Sequence, residues 1–183
     1  MKTLTLITSL ILLCFNTAFS QNYDQIDAYD HYKKDWALVQ KNGKYGFIDS
    51  DGTEIVKTIY DQIDLFGNFK KDWALVQIDG KYGFIDSDGT EIVKTIYDQI
   101  DLFGIFKKDR ALVQIDGKYG FIDSDGTEIV QTVYDQIDLF GNFKKDWALV
   151  QKDGKYGFID TDGSEIVEPK FKKVSDLKKE IND

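Results

Sequence analysis

The sequence predicts an all-β repeat protein, and three observations predict it. The motif Lys-Tyr-Gly-Phe-Ile-Asp begins at Lys44, Lys81, Lys118 and Lys155, and Tyr-Asp-Gln-Ile begins at Tyr23, Tyr60, Tyr97 and Tyr134, so one 37-residue register runs from Tyr23 to Lys170 without insertion. Each copy carries two Asp-Gly or Asn-Gly turns nine residues apart, for example Asp79-Gly80 and Asp88-Gly89. The stretches between the turns are short and rich in β-branched and aromatic residues. A fixed period of this length means that each unit buries its apolar faces against its neighbours. The turns come too often for a ten-residue helix to fit between them.

Residues 1–20 read as a separate object. Met1 and Lys2 make a short positive start, residues 4–15 are mostly apolar, and Ala18 and Ser20 occupy the small-residue positions of a cleavage site before Gln21. This is the pattern of a secretory signal peptide cleaved after Ser20. The apolar run is short and broken by Thr5, Thr8 and Ser9, which argues against a membrane span, so no integral span is expected after cleavage. Leu13 precedes Cys14 where a lipid-attachment signal wants a small residue. The expectation is a secreted or periplasmic chain. Cleavage also removes Cys14, the one cysteine, and with it any disulfide, thiolate nucleophile or sulfur ligand.

The array is expected to fill residues 21–174 as four units, 23–59, 60–96, 97–133 and 134–170, followed by a cap or tail over 171–183. Within the second unit, residues 73–77, 81–86 and 91–96 predict three antiparallel strands joined by the two glycine turns. Residues 97–103 predict a fourth extended segment leading into the next unit. Tyr82 and Phe84 fall on one face of their strand, and Gly83 and Ile85 on the other. Gly83, set between two aromatic residues, predicts a close approach of another ring or of backbone. Residues 175–181 predict a short terminal helix. Lys172, Lys173, Lys178 and Lys179 give the end a charged surface suited to stopping edge-to-edge growth.

The formal charge is −9, and the acid excess recurs in every copy. No basic stripe offsets it, so nucleic acid and anionic lipid are excluded as expected partners. Catalysis also fits poorly. His31 is the only histidine and falls in a stretch that varies between copies. No Ser-His-Asp or Cys-His set can be assembled, the carboxylates recur too evenly to mark one pair, and no zinc ligand set or phosphate-binding loop is present. No cofactor is implied. The run Asp49-Ser50-Asp51-Gly52-Thr53-Glu54 has the oxygen-rich look of a calcium loop, but the EF-hand spacing fails and aspartate before glycine has a sufficient backbone reason. Structural calcium stays as an alternative, with no metal ligand assigned.

Differences between the copies single out candidate binding residues. The second and third units differ at four positions: Asn68 and Ile105, Trp73 and Arg110, Lys94 and Gln131, Ile96 and Val133. Because Trp36, Trp73 and Trp147 are matched by Arg110, that position is expected to be at least half exposed, since an unpaired guanidinium is costly to bury. Trp36, Trp73, Arg110 and Trp147 are therefore the candidate binding strip, with tryptophan and arginine favoured at hot spots. The competing reading is that each indole lids its own sheet. By the same logic Lys41, Ile78, Ile115 and Lys152 share an exposed position, and the Ile96–Val133 exchange marks a packed one.

The ordered series Ala-Leu-Val-Gln, turn, Lys-Tyr-Gly-Phe-Ile-Asp, turn, Glu-Ile-Val, Tyr-Asp-Gln-Ile resembles the WG repeat, over Tyr23 to about Val174. Tyr45, Tyr82, Tyr119 and Tyr156 stand where that family's namesake tryptophan would be. The resemblance implies a bacterial β-hairpin repeat protein that mediates interactions, without catalytic residues. An equivalent of the opening Tyr23 segment stands again at Phe171, one more than a four-unit ring requires, which favours an open twisted solenoid over a small β-propeller. The expected function is a non-enzymatic scaffold that binds a protein or a cell-surface glycan. The alternatives are a carbohydrate-binding module stacking sugars on the tryptophans, or a calcium-stabilised structural module.

Overall fold

The structure, a computed structural model, describes residues 22–182; the signal-peptide expectation lies outside them. The first sheet comprises β1 (Gln25–Ile26), β2 (Trp36–Lys41), β3 (Lys44–Asp49) and β4 (Glu54–Tyr60). The second comprises β5 (Gln62–Ile63), β6 (Trp73–Ile78), β7 (Lys81–Asp86) and β8 (Glu91–Tyr97). The third comprises β9 (Gln99–Ile100), β10 (Arg110–Ile115), β11 (Lys118–Asp123) and β12 (Glu128–Tyr134). The fourth comprises β13 (Gln136–Ile137), β14 (Ala148–Lys152), β15 (Lys155–Ile159) and β16 (Glu165–Phe171), and α1 (Val174–Glu180) follows it. In each sheet the four strands lie in chain order, the plain meander that tight turns produce. The fold is an all-β repeat of four four-stranded antiparallel sheets, none closed into a barrel. The chain divides into two compact units, the first running to Gly80 and adding Ile85–Glu91, the second formed by Lys81–Phe84 and everything from Ile92.

The two turns of each copy are built differently. At the first, both central residues have positive φ, +50° at Asp79 and +78° at Gly80, which matches the twist of a two-residue hairpin. At the second, only the glycine does, at +83° for Gly89. There the loop is longer. Gly89 N–H bonds Asp86 O at 3.0 Å, Asp86 N–H bonds Thr90 O at 2.9 Å, and Asp86 Oδ1 accepts from the N–H groups of Asp88 and Thr90 at 2.8 and 2.9 Å. The second turn therefore corrects the expectation of two matching hairpins, because an aspartate side chain supplies half of its hydrogen bonds.

The glycine between the two aromatic residues has the predicted role, with backbone as the close neighbour. The register shifts from Tyr45↔Tyr60 to Phe47↔Val56, so β4 carries extra residues opposite Gly46. A Cβ on Gly46 would lie 2.4 Å from Val56 O and 2.8 Å from Thr58 N. Gly120 meets Val130 O at the same 2.4 Å. No side chain fits there without moving a strand.

Each sheet has two unlike apolar faces. Trp36, Leu38, Phe47, Val56 and Tyr60 form one face of the first sheet, and Ile63, Ala74, Val76 and Ile85 of the second sheet complete the same buried cluster. In the second unit Leu112, Phe121, Val130 and Tyr134 meet Ile137, Ala148, Val150 and Ile159 in the same way. A large-residue face thus packs on a small-residue face. Phe47 and Phe121 are fully buried, and each such side chain contributes about 1.5–3 kcal/mol. The second turn of the next copy comes close as well: a Cβ on Gly89 would lie 2.8 Å from Val56 Cγ2, and one on Gly163 2.5 Å from Ile129 O. The described residues form four sheets. At the fourth, α1 lies against β15 and β16, with Leu177 fully buried and Lys178 Nζ 5.1 Å from the Phe143 ring centroid. The short terminal helix was expected one residue later than it occurs, and the last strand runs one residue beyond the fourth unit, to Phe171.

A polar link spans each of these junctions. Lys44 Nζ lies 2.6 Å from Asp61 Oδ1, and Asp61 Oδ2 accepts the turn N–H of Asp79 at 2.7 Å. The set recurs as Lys81, Asp98 and Asp116, and as Lys118, Asp135 and Gly154. The lysine hydrogen bond, with the turn N–H second, holds the Asp61, Asp98 and Asp135 carboxyls below the ordinary aspartate value. These pairs are partly exposed and contribute little energy, so burial decides that the sheets stack, and the links set where.

Two outcomes are expected. Gly120→Ala should lower stability by about 3–4 kcal/mol, read as a shift in the urea unfolding midpoint, whereas Gly117→Ala, whose Cβ would meet nothing within 4 Å, should be limited to its positive-φ strain of about 1 kcal/mol. The pH dependence follows from the depressed carboxyls. A folded-state value below the unfolded one gives stability that is present above the ordinary aspartate pKa of about 3.9 and lost as pH falls through the lowered values. The unfolding midpoint should therefore drop on acidification past that point. The combined Asp61→Asn, Asp98→Asn and Asp135→Asn variant should show a flatter profile.

Candidate functional site

The sequence-predicted strip is not a strip. Trp36 and Trp73 are 7% and 8% exposed, Trp147 is half-buried, and the Arg110 side chain is 16% exposed. The rings of Phe47 and Phe66 lie 5.4 and 6.0 Å from Trp36, and Lys33 Nζ sits 4.1 Å from its centroid. Trp36 is thus built into the junction with the next sheet, so neither Trp36 nor Trp73 offers a face on which a sugar could stack. Arg110 is tolerated at this largely buried position because its guanidinium is paired: Nη2 lies 3.3 Å from Asp162 Oδ1, on the far turn of the following sheet. Where an indole is present, the preceding lysine covers it, at 4.1 Å for Lys70 over Trp73 and 4.8 Å for Lys144 over Trp147. Without one, Lys107 turns to Asp146 at 2.6 Å. The Ile96 position was expected to be packed, yet Ile59 and Ile96 are 44% and 45% exposed. Of the turn-side set, Lys41 is exposed and Ile78, Ile115 and Lys152 are half-buried.

The oxygen-rich turns spend their carboxylates on backbone. Asp49 Oδ1 accepts from Asp51 N–H and Thr53 N–H at 2.9 and 2.8 Å, and Asp160 Oδ1 does the same for Asp162 and Ser164. Among the described residues no three His, Cys, Asp or Glu side chains gather as a metal ion needs. His31 is exposed, in edge contact with Tyr32.

What recurs as a concave feature is a cleft at the junction between sheets. In the first unit it encloses about 350 Å³ and is lined by Gln25, Asp27, Tyr32, Leu38, Tyr45, Gln62, Ile63 and Asp64. In the second it encloses about 430 Å³ and is lined by Phe106, Leu112, Tyr119, Asp135, Gln136 and Ile137. Five of these are the same repeat positions: an aromatic residue, the β2 or β10 leucine, the β3 or β11 tyrosine, and the Gln-Ile of the next short strand. Buried aliphatic side chains make the floor, tyrosine or phenylalanine the wall, and glutamine the rim. Such a mixture of apolar surface with a few polar groups is the usual make-up of a ligand cleft.

The profile of the WG containing repeat matches residues 22–45, 45–82, 82–119, 119–156 and 156–181. The chain belongs to the WG repeat family. The family's boundaries fall at Tyr45, Tyr82, Tyr119 and Tyr156, so a WG repeat counted this way runs from the central strand of one sheet to that of the next, and each junction lies inside one repeat. Tyr45 and Tyr119, at the position of the WG tryptophan, line the two clefts. That substitution was the signal in the sequence that could have pointed to the cleft. No curated protein matches this WG repeat chain. Among solved structures, KlHsv2 with loop 6CD replaced by a Gly-Ser linker aligns over 72% of this chain at 7% identity, with a TM-score of 0.33. The chain spans 47% of that one's length.

Arg110 gives a direct check on the junction geometry. Its Nη1 is buried with no hydrogen-bond partner among the described residues. Arg110→Trp should remove that cost and let Lys107 cover the indole, raising stability by about 1–2 kcal/mol in urea unfolding.

Proposed function

We propose that this WG repeat chain is an exported, non-enzymatic scaffold that binds a protein partner through the clefts between its sheets. The observation that carries the reading is the recurrence of one cleft chemistry, aromatic wall and glutamine rim, in both compact units. Export rests on the signal-peptide pattern of residues 1–20. The non-enzymatic reading rests on how the reactive side chains are used. The repeated aspartates brace turns and junctions, and the sole histidine lies on an exposed loop. Exposed aliphatic residues, Leu65 at 41%, Leu102 at 49% and Leu139 at 44%, repeat beside the short strands and suit contact with a protein surface better than with a sugar. Among the described residues no helix is long and apolar enough to cross a membrane.

The test is site-specific photo-crosslinking in the native cell envelope. A crosslinker at the exposed rim residue Gln62 should trap a discrete protein. The same group at exposed Lys57 on β4 should not. Equal trapping from both positions, or retention on a glycan array with no protein captured, would overturn the reading.

A further inference from the structure

The first cleft carries two carboxylates. Asp27 and Asp64 both face it, and neither has a cationic partner among the described residues. Asp27 Oδ1 accepts only the Gln25 amide, at 2.7 Å. Both carboxylates are half-buried and close enough to act on the same phenol: after burial itself, Asp27 and then Asp64 push the Tyr32 hydroxyl pKa up. Asp101 and Asp138 hold the same repeat positions in the second compact unit, and what sets the first cleft apart is its wall. The first cleft has two phenol rings, Tyr32 and Tyr45, where the other has Phe106 and Tyr119. Tyr32 is held in place by edge contact with Phe47, with ring centroids 5.4 Å apart.

Two carboxylates lining one cleft give it a negative field, which a bound cation meets. A metal ion is poorly served, because two carboxylates and an apolar floor of Leu38 and Ile63 fall short of an oxygen cage. An organic cation is well served. Its charge meets the carboxylates, its stem lies on the aliphatic floor, and the tyrosine faces attract it.

We infer that the first cleft is a receptor for the side chain of an arginine or lysine presented by an extended segment of the protein partner. This rests on the scaffold reading and names the chemistry of its partner. The rest of the surface agrees with it, since a chain of net charge −9 steers basic partners toward itself.

The experiment titrates isotopically labelled chain with the capped pentapeptide Gly-Ser-Arg-Ser-Gly, its lysine version and its citrulline version, following backbone amide shifts. Arginine and lysine peptides should perturb Tyr32, Tyr45, Gln62 and Asp64 at lower concentration than Tyr119 and Gln136. Citrulline keeps the shape without the charge and should bind at least about tenfold more weakly. The combined Asp27→Asn and Asp64→Asn variant should lose the same factor, and raising the salt to about 0.5 M should weaken the arginine peptide severalfold. Equal binding of the citrulline peptide, or shifts spread evenly over the surface carboxylates, would overturn the inference, and neither outcome depends on the variant folding. The double variant carrying the Gln62 crosslinker separates the two readings. If it still traps the protein while the wild-type cleft ignores the basic peptides, the cation receptor falls and the scaffold stands.

Discussion

The two faces of each sheet are unlike, and neither can be left in water. One carries Trp, Leu, Phe, Val and Tyr; the other carries Ala, Val and Ile. The large face needs a shallow partner and the small face needs a deep one, so the stable arrangement is large upon small, as within each compact unit. A single sheet of this kind would expose both surfaces, and the repeat therefore has stability only as part of an array. The glycine of Lys-Tyr-Gly-Phe-Ile-Asp follows from the same constraint. It lets the outer strand bulge inward until its carbonyl nearly touches the central strand, which places the Val56 and Tyr60 side chains on the large face. The helix α1 meets the same demand at the fourth sheet, where it lies against β15 and β16 with Leu177 fully buried.

The polar residues are placed around this packing, and their roles explain why chemistry is scarce. Three aspartates of a copy have distinct structural work: one joins a lysine of the preceding sheet to a turn N–H, one caps the second turn, and one adopts positive φ before the tryptophan or arginine. A phenol works in the same way. Tyr134 donates to Glu165 Oε1 at 3.3 Å, and burial together with that carboxylate pushes its pKa up to about 12. Side chains that would look reactive in another setting are therefore fixed as braces. What remains unspent is concave and aromatic, and in the first cleft it is acidic as well.

The fold was largely legible in the sequence because tight turns and strand alternation are local. The 81–86 strand was placed to the residue, as β7, and the glycine between the aromatic residues was rightly assigned to a close approach. The predicted seven-residue fourth segment yields only the two-residue β9, since nothing local reveals how little of an extended stretch finds a partner. The candidate site was much less legible. Exposure was inferred from Arg110, but the residue that makes its burial tolerable, Asp162, lies 52 positions away. The clefts were invisible for the same reason: each is formed by residues of two successive copies, and the family's tryptophan position, held here by tyrosine, was the one local mark of them.

The lysine–aspartate–turn link has a bearing on how such chains change size. Its members lie in adjacent copies, and no link reaches further. Unequal exchange between near-identical stretches of coding sequence, which adds or deletes one whole 37-residue module, would therefore sever nothing that is not re-formed at the new seam. Each added module would also bring one more sheet-to-sheet junction. On the scaffold reading proposed above, valency toward a multivalent target would follow copy number, and avidity would tune binding strength without altering a single contact.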